Sequence, residues 1–456
     1  MNNTVAIIGA GPVGLAAAAH VLERGLSPLV LEQGPTVGHA VRAWAHVPMF
    51  SNWRSNIDAA AARRLAGEGW RQPDPAVHPT GGDLLRDYLE PLGRSLAPWI
   101  RLGRRVVAVS REGIDKVRDA GRAEAAFVIE AEGPAGPEQH RAAAMIDASG
   151  SWFQPNPGGA GRPVPGEEGN PAVRYGMPDV AGRERARFAG RRIGVLGGGH
   201  SAIGTLIALA DLSDTAPVWL CRAATTARAL GGGAADQLAA RGALGLDVAR
   251  LIAEGRVQVE TGFRLVAIEG AGPIRVRAED GRSLDLDELV IATGFRPDLS
   301  PLRELRVALD PALECPPALA PLIDPNLHSC GTVRPHGAAE LSHPEPSFFI
   351  AGMKSYGRAP TFLLATGYEQ VRSIAAALAG DAAAAAQVEL VLPETGVCSG
   401  PGPQVASATA ERCCGGPAVT RADACCAQDE AAKDEGKAGC GCGTAPAEPV
   451  RAGACC

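Results

Sequence analysis

The stretch from Thr4 to Gln33, TVAIIGAGPVGLAAAAHVLERGLSPLVLEQ, constrains the fold more than any other part of the chain. It reads as strand, glycine turn, helix, strand. Val5, Ala6, Ile7 and Ile8 form a short apolar run suited to a buried parallel strand, and Gly9, Gly11 and Gly14 follow in the G-x-G-x-x-G spacing. The first glycine permits the tight turn, the second lets a pyrophosphate approach the backbone, and the third lets the helix opening at Pro12 pack closely on the sheet. Such a helix aims free N–H groups and its positive dipole end at phosphates. The second strand, 28–31, ends at Glu32, whose carboxylate can accept hydrogen bonds from a ribose 2′-hydroxyl. These features imply an adenine dinucleotide without a 2′-phosphate, FAD or NAD. In a chain with 57 glycines the spacing alone would be weak, and the flanking strand, helix and glutamate make it specific.

A second unit of the same kind begins at RRIGVLGGGHSAIGTLIALADL. The strand 193–196 runs into Gly197, Gly199, His200 and Ser201, with Ala202 in the third glycine position, a replacement the fingerprint permits. The strand after its helix ends at Cys221-Arg222 where an acidic residue would select NAD. An arginine there can pair in bidentate fashion with a 2′-phosphate, so this site is expected to take NADPH. The bland alternative is an arginine capping a sheet edge in solvent.

At 456 residues the chain has room for two or three domains with real cores. A net charge of −6 argues against a nucleic-acid partner. The apolar run 5–22 carries a glycine turn in its middle and lacks a basic leader, so it reads as strand plus helix and not as a membrane span or signal peptide. The expectation is a cytoplasmic protein with reduced thiols.

Between the two units, residues 34–58 are irregular and rich in Trp, His, Asn and Arg, Trp44 among them, and read as a loop over a cofactor. A helix is expected over 83–97, strands over 106–110 (with Val107) and 127–132, and a buried strand 144–148 running into the small turn Ala148-Ser149-Gly150. Residues 155–169 read as a linker. Later, 257–260, 263–269, 274–278 and 283–286 read as short antiparallel strands. The strand at 289–291 ends in Ala292-Thr293-Gly294, where the chain is expected to return to the first domain. A strand 348–351 leads through Gly352 to a helix over 360–379. Lys354, the only lysine between positions 117 and 432, is either a charge beside the cofactor or a solvated loop lysine.

Two dinucleotide sites in this order, with small-residue turns at 148–150 and 292–294, resemble the flavoproteins with two dinucleotide-binding domains. These include flavin-containing monooxygenases, Baeyer-Villiger monooxygenases and thioredoxin reductases. The resemblance covers residues 4–392. It is strongest to monooxygenase-like flavoproteins associated with arsenic-resistance genes, through GHAVRAW, MFSNWRSNID, GGGHSA, ATGFRPDL, GMKSYGRAPTFLLATGYEQVRS and LPETGVCS. It implies an α/β fold in which an FAD-binding Rossmann-like domain (1–185 and 291–392) carries an inserted NADPH-binding Rossmann-like domain (186–290). Gly9, Gly11, Pro12, Gly14 and Glu32 would hold FAD, with Trp44, Val107, Ser149, Gly150, Thr293, Gly294 and Gly352 completing the cofactor contacts. Gly197, Gly199, His200, Ser201 and Arg222 would hold NADPH. Phe50, Trp53, Ser55 and Asn56 match a stretch in which monooxygenases place an asparagine beside the flavin. This makes Asn56 the catalytic candidate, with Asn52 as fallback and Lys354 as a second catalytic group.

The implied reaction passes hydride from NADPH to the flavin, which takes up O₂ as a C4a-peroxide and oxygenates a soft nucleophile, trivalent arsenic or a sulfur or nitrogen compound. One departure stands against it: the family's F-x-G-x-x-x-H linker is replaced here by AVRYGMPDV. A reductase without oxygenation, and a metal-binding or sensing flavoprotein, therefore stay open as alternatives.

Beyond Pro393 the composition turns to small, polar and cysteine residues, so 393–456 reads as a disordered, Cys-rich tail. Adjacent cysteines make poor disulfides, because neighbouring Cα atoms sit about 3.8 Å apart against a preferred range of about 4.4–6.8 Å. Cys413, Cys414, Cys425, Cys426, Cys440, Cys442, Cys455 and Cys456 instead suit a thiophilic metal or metalloid. Redox exchange with the flavin and an incidental tail are the other readings. The chain has no C-x-x-C, which excludes the redox core of a thioredoxin reductase.

Overall fold

Short apolar runs closed by glycine turns become strands buried on both faces, and they organise two parallel sheets. The computed structural model describes residues 3–390 apart from 232, 234–238, 328–332 and 361. The chain opens with β1 (Thr4–Ile8), helix α1 (Pro12–Glu23) and β2 (Ser27–Glu32). It continues through β3 (Ile100–Leu102), β4 (Arg105–Arg111), β5 (Phe127–Gly133), β6 (Gly136–Ala142) and β7 (Ala144–Asp147). The second half holds β8 (Val173–Tyr175), β9 (Arg192–Leu196), β10 (Ala216–Leu220) and β11 (Gln258–Glu260). After these come β12 (Leu265–Gly270), β13 (Ile274–Ala278), β14 (Ser283–Leu286), β15 (Glu288–Ile291) and β16 (Phe348–Ile350).

The first five-stranded sheet has the order β16-β7-β1-β2-β3 and the second β11-β10-β9-β15-β8, every pairing parallel. Each is doubly wound about its own first strand, so the order reverses between β1 and β7 and again between β9 and β15. Ligands of such sheets bind outside the carboxyl ends at that reversal, where both glycine turns lie. The alanine-rich face of α1 (Ala16 to Ala19) lets the helix sit close against the first sheet, and the second sheet packs around Trp219, Ile203 and Leu206.

Several expectations are corrected. The segment 257–260 is no antiparallel strand, since β11 extends the second parallel sheet along β10. At Leu289 the chain has not returned to the first sheet: β15 pairs with β9 from Glu288↔Ile193 to Ile291↔Leu196. Residues 173–175, which fall in the stretch 1–185 assigned to the first part of the FAD domain, form β8 and border β15 in the second sheet. Residues 155–169 are not a loose linker either, because buried Glu167 accepts hydrogen bonds from Gly158 N (2.8 Å), Val164 N (2.9 Å) and Tyr175 Oη (2.7 Å). The loop 34–58 contains helical turns at His39–Ala43 and Trp53–Asn56. The helix expected over 83–97 is interrupted by a π turn at Leu85–Leu89, and the last long helix is Leu364–Leu378.

Two antiparallel ribbons, β4-β5-β6 and β12-β13-β14, accompany the sheets. The first is fastened by buried charge. Arg111 Nε donates to Glu345 Oε1 (2.7 Å), Arg122 Nη2 and the Arg306 N–H donate to Oε2 (2.6 and 2.9 Å), and the Arg111 guanidinium lies 3.6 Å from the centre of the Phe127 ring. The tail cysteines and Cys330 lie outside the described residues.

Candidate functional site at two glycine turns

Each glycine of the first turn meets a different steric limit. Gly9 has a φ of +97°, and a Cβ on it would stand 2.8 Å from Ala148 O at the end of β7. A Cβ on Gly14 would fall 1.9 Å from Gly9 O, whereas one on Gly11 would meet nothing within 4 Å. The open side of the turn is thus at Gly11 and Pro12, ahead of the free N–H groups of α1, as a pyrophosphate requires. Glu32 is buried, and its two oxygens accept from Ala10 N and Gly34 N, each at 2.7 Å. The carboxylate ties β2 to the turn, and with one such bond to each oxygen it has further lone pairs with which to accept.

Opposite this turn, Asp147 closes β7. Its Oδ1 accepts from Ser149 N (3.1 Å) and Ser149 Oγ (2.6 Å), and its Oδ2 accepts from Lys354 Nζ at 2.7 Å. Lys354 also donates to Ser149 Oγ (3.0 Å) and is only 3% exposed, which overturns the reading of a solvated loop lysine. Gly150 has φ +71°. Gly352 also has φ +71°, and its Cβ would press on Val13 of α1 at 3.3 Å. Ser149, Gly150, Gly352 and Lys354 therefore converge with Gly9–Gly14 on one edge of the first sheet.

Val107 is the extra residue of a bulge between Val106↔Ala131 and Ala108↔Glu130, so its backbone is released from the ladder, as bulges beside sites do. Trp44 is half-buried and packs its ring where a Cβ on Gly81 would stand (2.6 Å). Asn56 is fully buried: its Oδ1 accepts from Ser51 Oγ and its Nδ2 donates to Ser51 O, each at 2.8 Å, while Tyr368 Oη donates to its carbonyl (2.9 Å). The next residues are anchored by Asp58, which caps the helix Ala59–Ala66 and meets His20 Nε2 at 2.9 Å.

The second turn repeats the geometry. A Cβ on Gly197 would stand 2.3 Å from Ala292 O, while one on Gly199 would meet nothing within 4 Å. Ala202 fits the third position because its Cβ lies 3.5 Å from that Gly197 Cβ point. Ser201 lies in the first turn of the helix His200–Ala210, His200 meets the Phe50 ring edge-on at 5.1 Å, and Arg222 is exposed just past β10. Thr293 Oγ1 donates to Asn156 O (2.7 Å), and Gly294 has φ +90°. Cys221 and Cys315 are separately buried thiols, each pushed up to about 12 by burial. Among the described residues no cluster of His, Cys, Asp and Glu could hold a metal ion. No described helix is long and apolar enough to cross a membrane.

Sequence reading missed Asp147, Gln370 and His336. A carboxylate ending an apolar strand was the available signal for Asp147; for the other two nothing local gave one.

Two cradles of this kind on two doubly wound sheets define a dinucleotide-linked oxidoreductase. The chain belongs to the pyridine nucleotide-disulphide oxidoreductase family, which it matches over residues 6–316. A ferredoxin–NADP reductase of Gluconacetobacter diazotrophicus is 29% identical over 313 residues, 66% of this chain and 75% of the relative. The fold is shared with bacillithiol disulfide reductase from Bacillus cereus (TM-score 0.64, 22% identity, 83% of this chain and 98% of that one). It is shared also with a flavin-containing monooxygenase from Stenotrophomonas maltophilia (TM-score 0.52, 20% identity, 83% and 98%). The chain is an FAD-dependent NAD(P)H oxidoreductase, with FAD and NADPH as its cofactors.

Proposed function

We propose that the protein is an NADPH-dependent flavin monooxygenase acting on a soft nucleophile, with trivalent arsenic or a sulfur or nitrogen compound as the substrate class, in the cytoplasm. Bound FAD supplies the redox chemistry, accepting hydride from NADPH and activating O₂. The protein's part is to seat the two nucleotides and keep the reacting face dry. Gly9, Gly11, Pro12, Gly14, Glu32, Ser149 and Gly150 seat FAD. Trp44, Val107, Gly352, Thr293 and Gly294 complete the cofactor contacts. Gly197, Gly199, His200 and Ser201 seat NADPH, and Arg222 receives its 2′-phosphate. Asn56 and Lys354 are the polar groups on the flavin side.

The observation carrying this reading is the thiol chemistry of the body. Among the described residues Cys221 and Cys315 are single buried thiols held protonated, and the sequence has no C-x-x-C, so neither of these two thiols is set up as a dithiol relay for the flavin. The alternative, a reductase that hands electrons to tail thiols, a metalloid or a protein, draws support from the nine cysteines after position 393. A metal-binding or sensing flavoprotein draws on the same tail.

Mixing NADPH-reduced enzyme with isotopically labelled O₂ separates these readings. A monooxygenase returns label in the oxidised product and shows a lag before the oxidised flavin spectrum reappears. Immediate reoxidation with all label in hydrogen peroxide supports the reductase. In the same assay Arg222→Ala should erase most of the preference for NADPH over NADH while leaving bound flavin intact. Equal use of both nucleotides by the unmodified protein rules out the role given to Arg222.

A further inference from the structure

Behind the Gly352–Tyr356 turn, a chain of buried hydrogen bonds passes through one side-chain amide. Gln370, fully buried on the helix Leu364–Leu378, accepts from Gly352 N through Oε1 (2.7 Å). Its Nε2 donates to Ser355 Oγ (3.0 Å), whose own proton goes to Gly352 O (2.8 Å). The amide cannot be turned over. Flipping it would set an N–H against the Gly352 N–H and an oxygen against a hydroxyl with no proton left to give.

The fixed amide then decides the state of a histidine. Gln370 Nε2 also faces His336 Nε2 at 2.9 Å, so that ring nitrogen must accept, and the ring proton must sit on Nδ1, 3.0 Å from Arg334 O. A proton on His336 Nε2 would place donor against donor. The titratable groups around the ring are Glu340 beside its own turn, Glu369 on the helix and Tyr356 on the Gly352–Tyr356 turn. Glu369 is engaged by Arg372 (2.7 and 3.1 Å), and Glu340 Oε2 accepts from Gly337 N (2.8 Å). Burial lowers the affinity of His336 for a second proton, in keeping with an accepting Nε2.

We propose that Gln370 is a positioning residue that holds the Gly352–Tyr356 turn, and through it the Lys354 ammonium, against the flavin pocket, and that it does so only while His336 is neutral. The proposal rests on the reading of Gly352 and Lys354 as flavin-side residues. Gln370 need not touch the cofactor. It sets the turn from behind, and Lys354 reaches Asp147 and Ser149 from that turn.

Two measurements on the flavin-loaded protein test it. Gln370→Met keeps the length of the side chain and removes its hydrogen bonds. The visible spectrum of the bound flavin should shift in the same direction as in Lys354→Met, and the double variant should shift no further than Lys354→Met alone. A wild-type spectrum in Gln370→Met alongside a shifted one in Lys354→Met overturns the proposal and leaves the placement of Lys354 standing. A wild-type spectrum in Lys354→Met removes the placement, and the proposal with it.

The second measurement does not require the Met variant to hold flavin. In Gln370→Glu the residue still accepts from Gly352 N but presents an acceptor to His336. Hydrogen–deuterium exchange at His336 Cε1, read by mass spectrometry, should then show proton affinity raised by about tenfold or more. An unchanged His336 titration overturns the proposal.

Discussion

Glu345 carries more of the fold than its place in a loop suggests. Burial alone would raise its pKa. The hydrogen bonds from Arg122, the Arg306 N–H and Arg111 outweigh that and hold the carboxyl below its ordinary range. A folded-state pKa below the unfolded one contributes stability that is complete above the unfolded value, about 4.3, and is lost as pH falls through the folded value. Urea midpoints should therefore fall more steeply with acidification in the wild type than in Glu345→Gln, which should be the less stable protein at neutral pH. Equal slopes would show that Glu345 contributes nothing to the acid limb. Neither this cluster nor the Lys354–Asp147 pair was legible in the sequence, since Arg111 and Glu345 stand 234 positions apart and Asp147 and Lys354 207. Lysine in a glycine-flanked loop reads as solvated until the strand carrying its partner is placed beside it.

The two glycine turns were legible because their demands are local and steric: a positive φ, a backbone contact and an open approach, all within a few residues. The third position tests this. Gly14→Ala would drive a methyl group to 1.9 Å from Gly9 O, so the variant should purify with little flavin and a lower melting temperature. Flavin content equal to wild type would show that α1 can shift without losing the cradle. The strands that escaped notice lack a local signal. β6 alternates exposed and half-buried polar residues, and it is a strand because β5 pairs with it from Phe127↔Ala142 to Gly133↔Gly136. β3 and β8 have three residues each and exist only as edges of a sheet already formed. The bulge at Val107 is invisible for the same reason, being a property of a pair and not of one strand.

At the scale of the molecule, the last described strand of the first sheet is β16 and its covering helix ends at Leu378, before the cysteine-rich residues begin. Ending the chain after Pro393 should leave flavin content and melting unchanged while binding of trivalent arsenic or Zn(II) drops sharply. Full metalloid binding by the shortened chain would return the tail to an incidental role. Finally, the chain leaves the first sheet and comes back to it through neighbouring backbone. Asn156 N donates to Gly294 O and Arg296 N to Gln154 O, each at 2.9 Å, and the Trp152 and Phe295 rings stack at 4.8 Å. Everything between those points is thus a cartridge with adjacent terminals. Splicing residue 156 to residue 293 through a short glycine bridge, which keeps Thr293 and Gly294, should give a smaller yellow protein that melts cooperatively but is blind to NADPH, and the vacated socket could accept a different electron donor module.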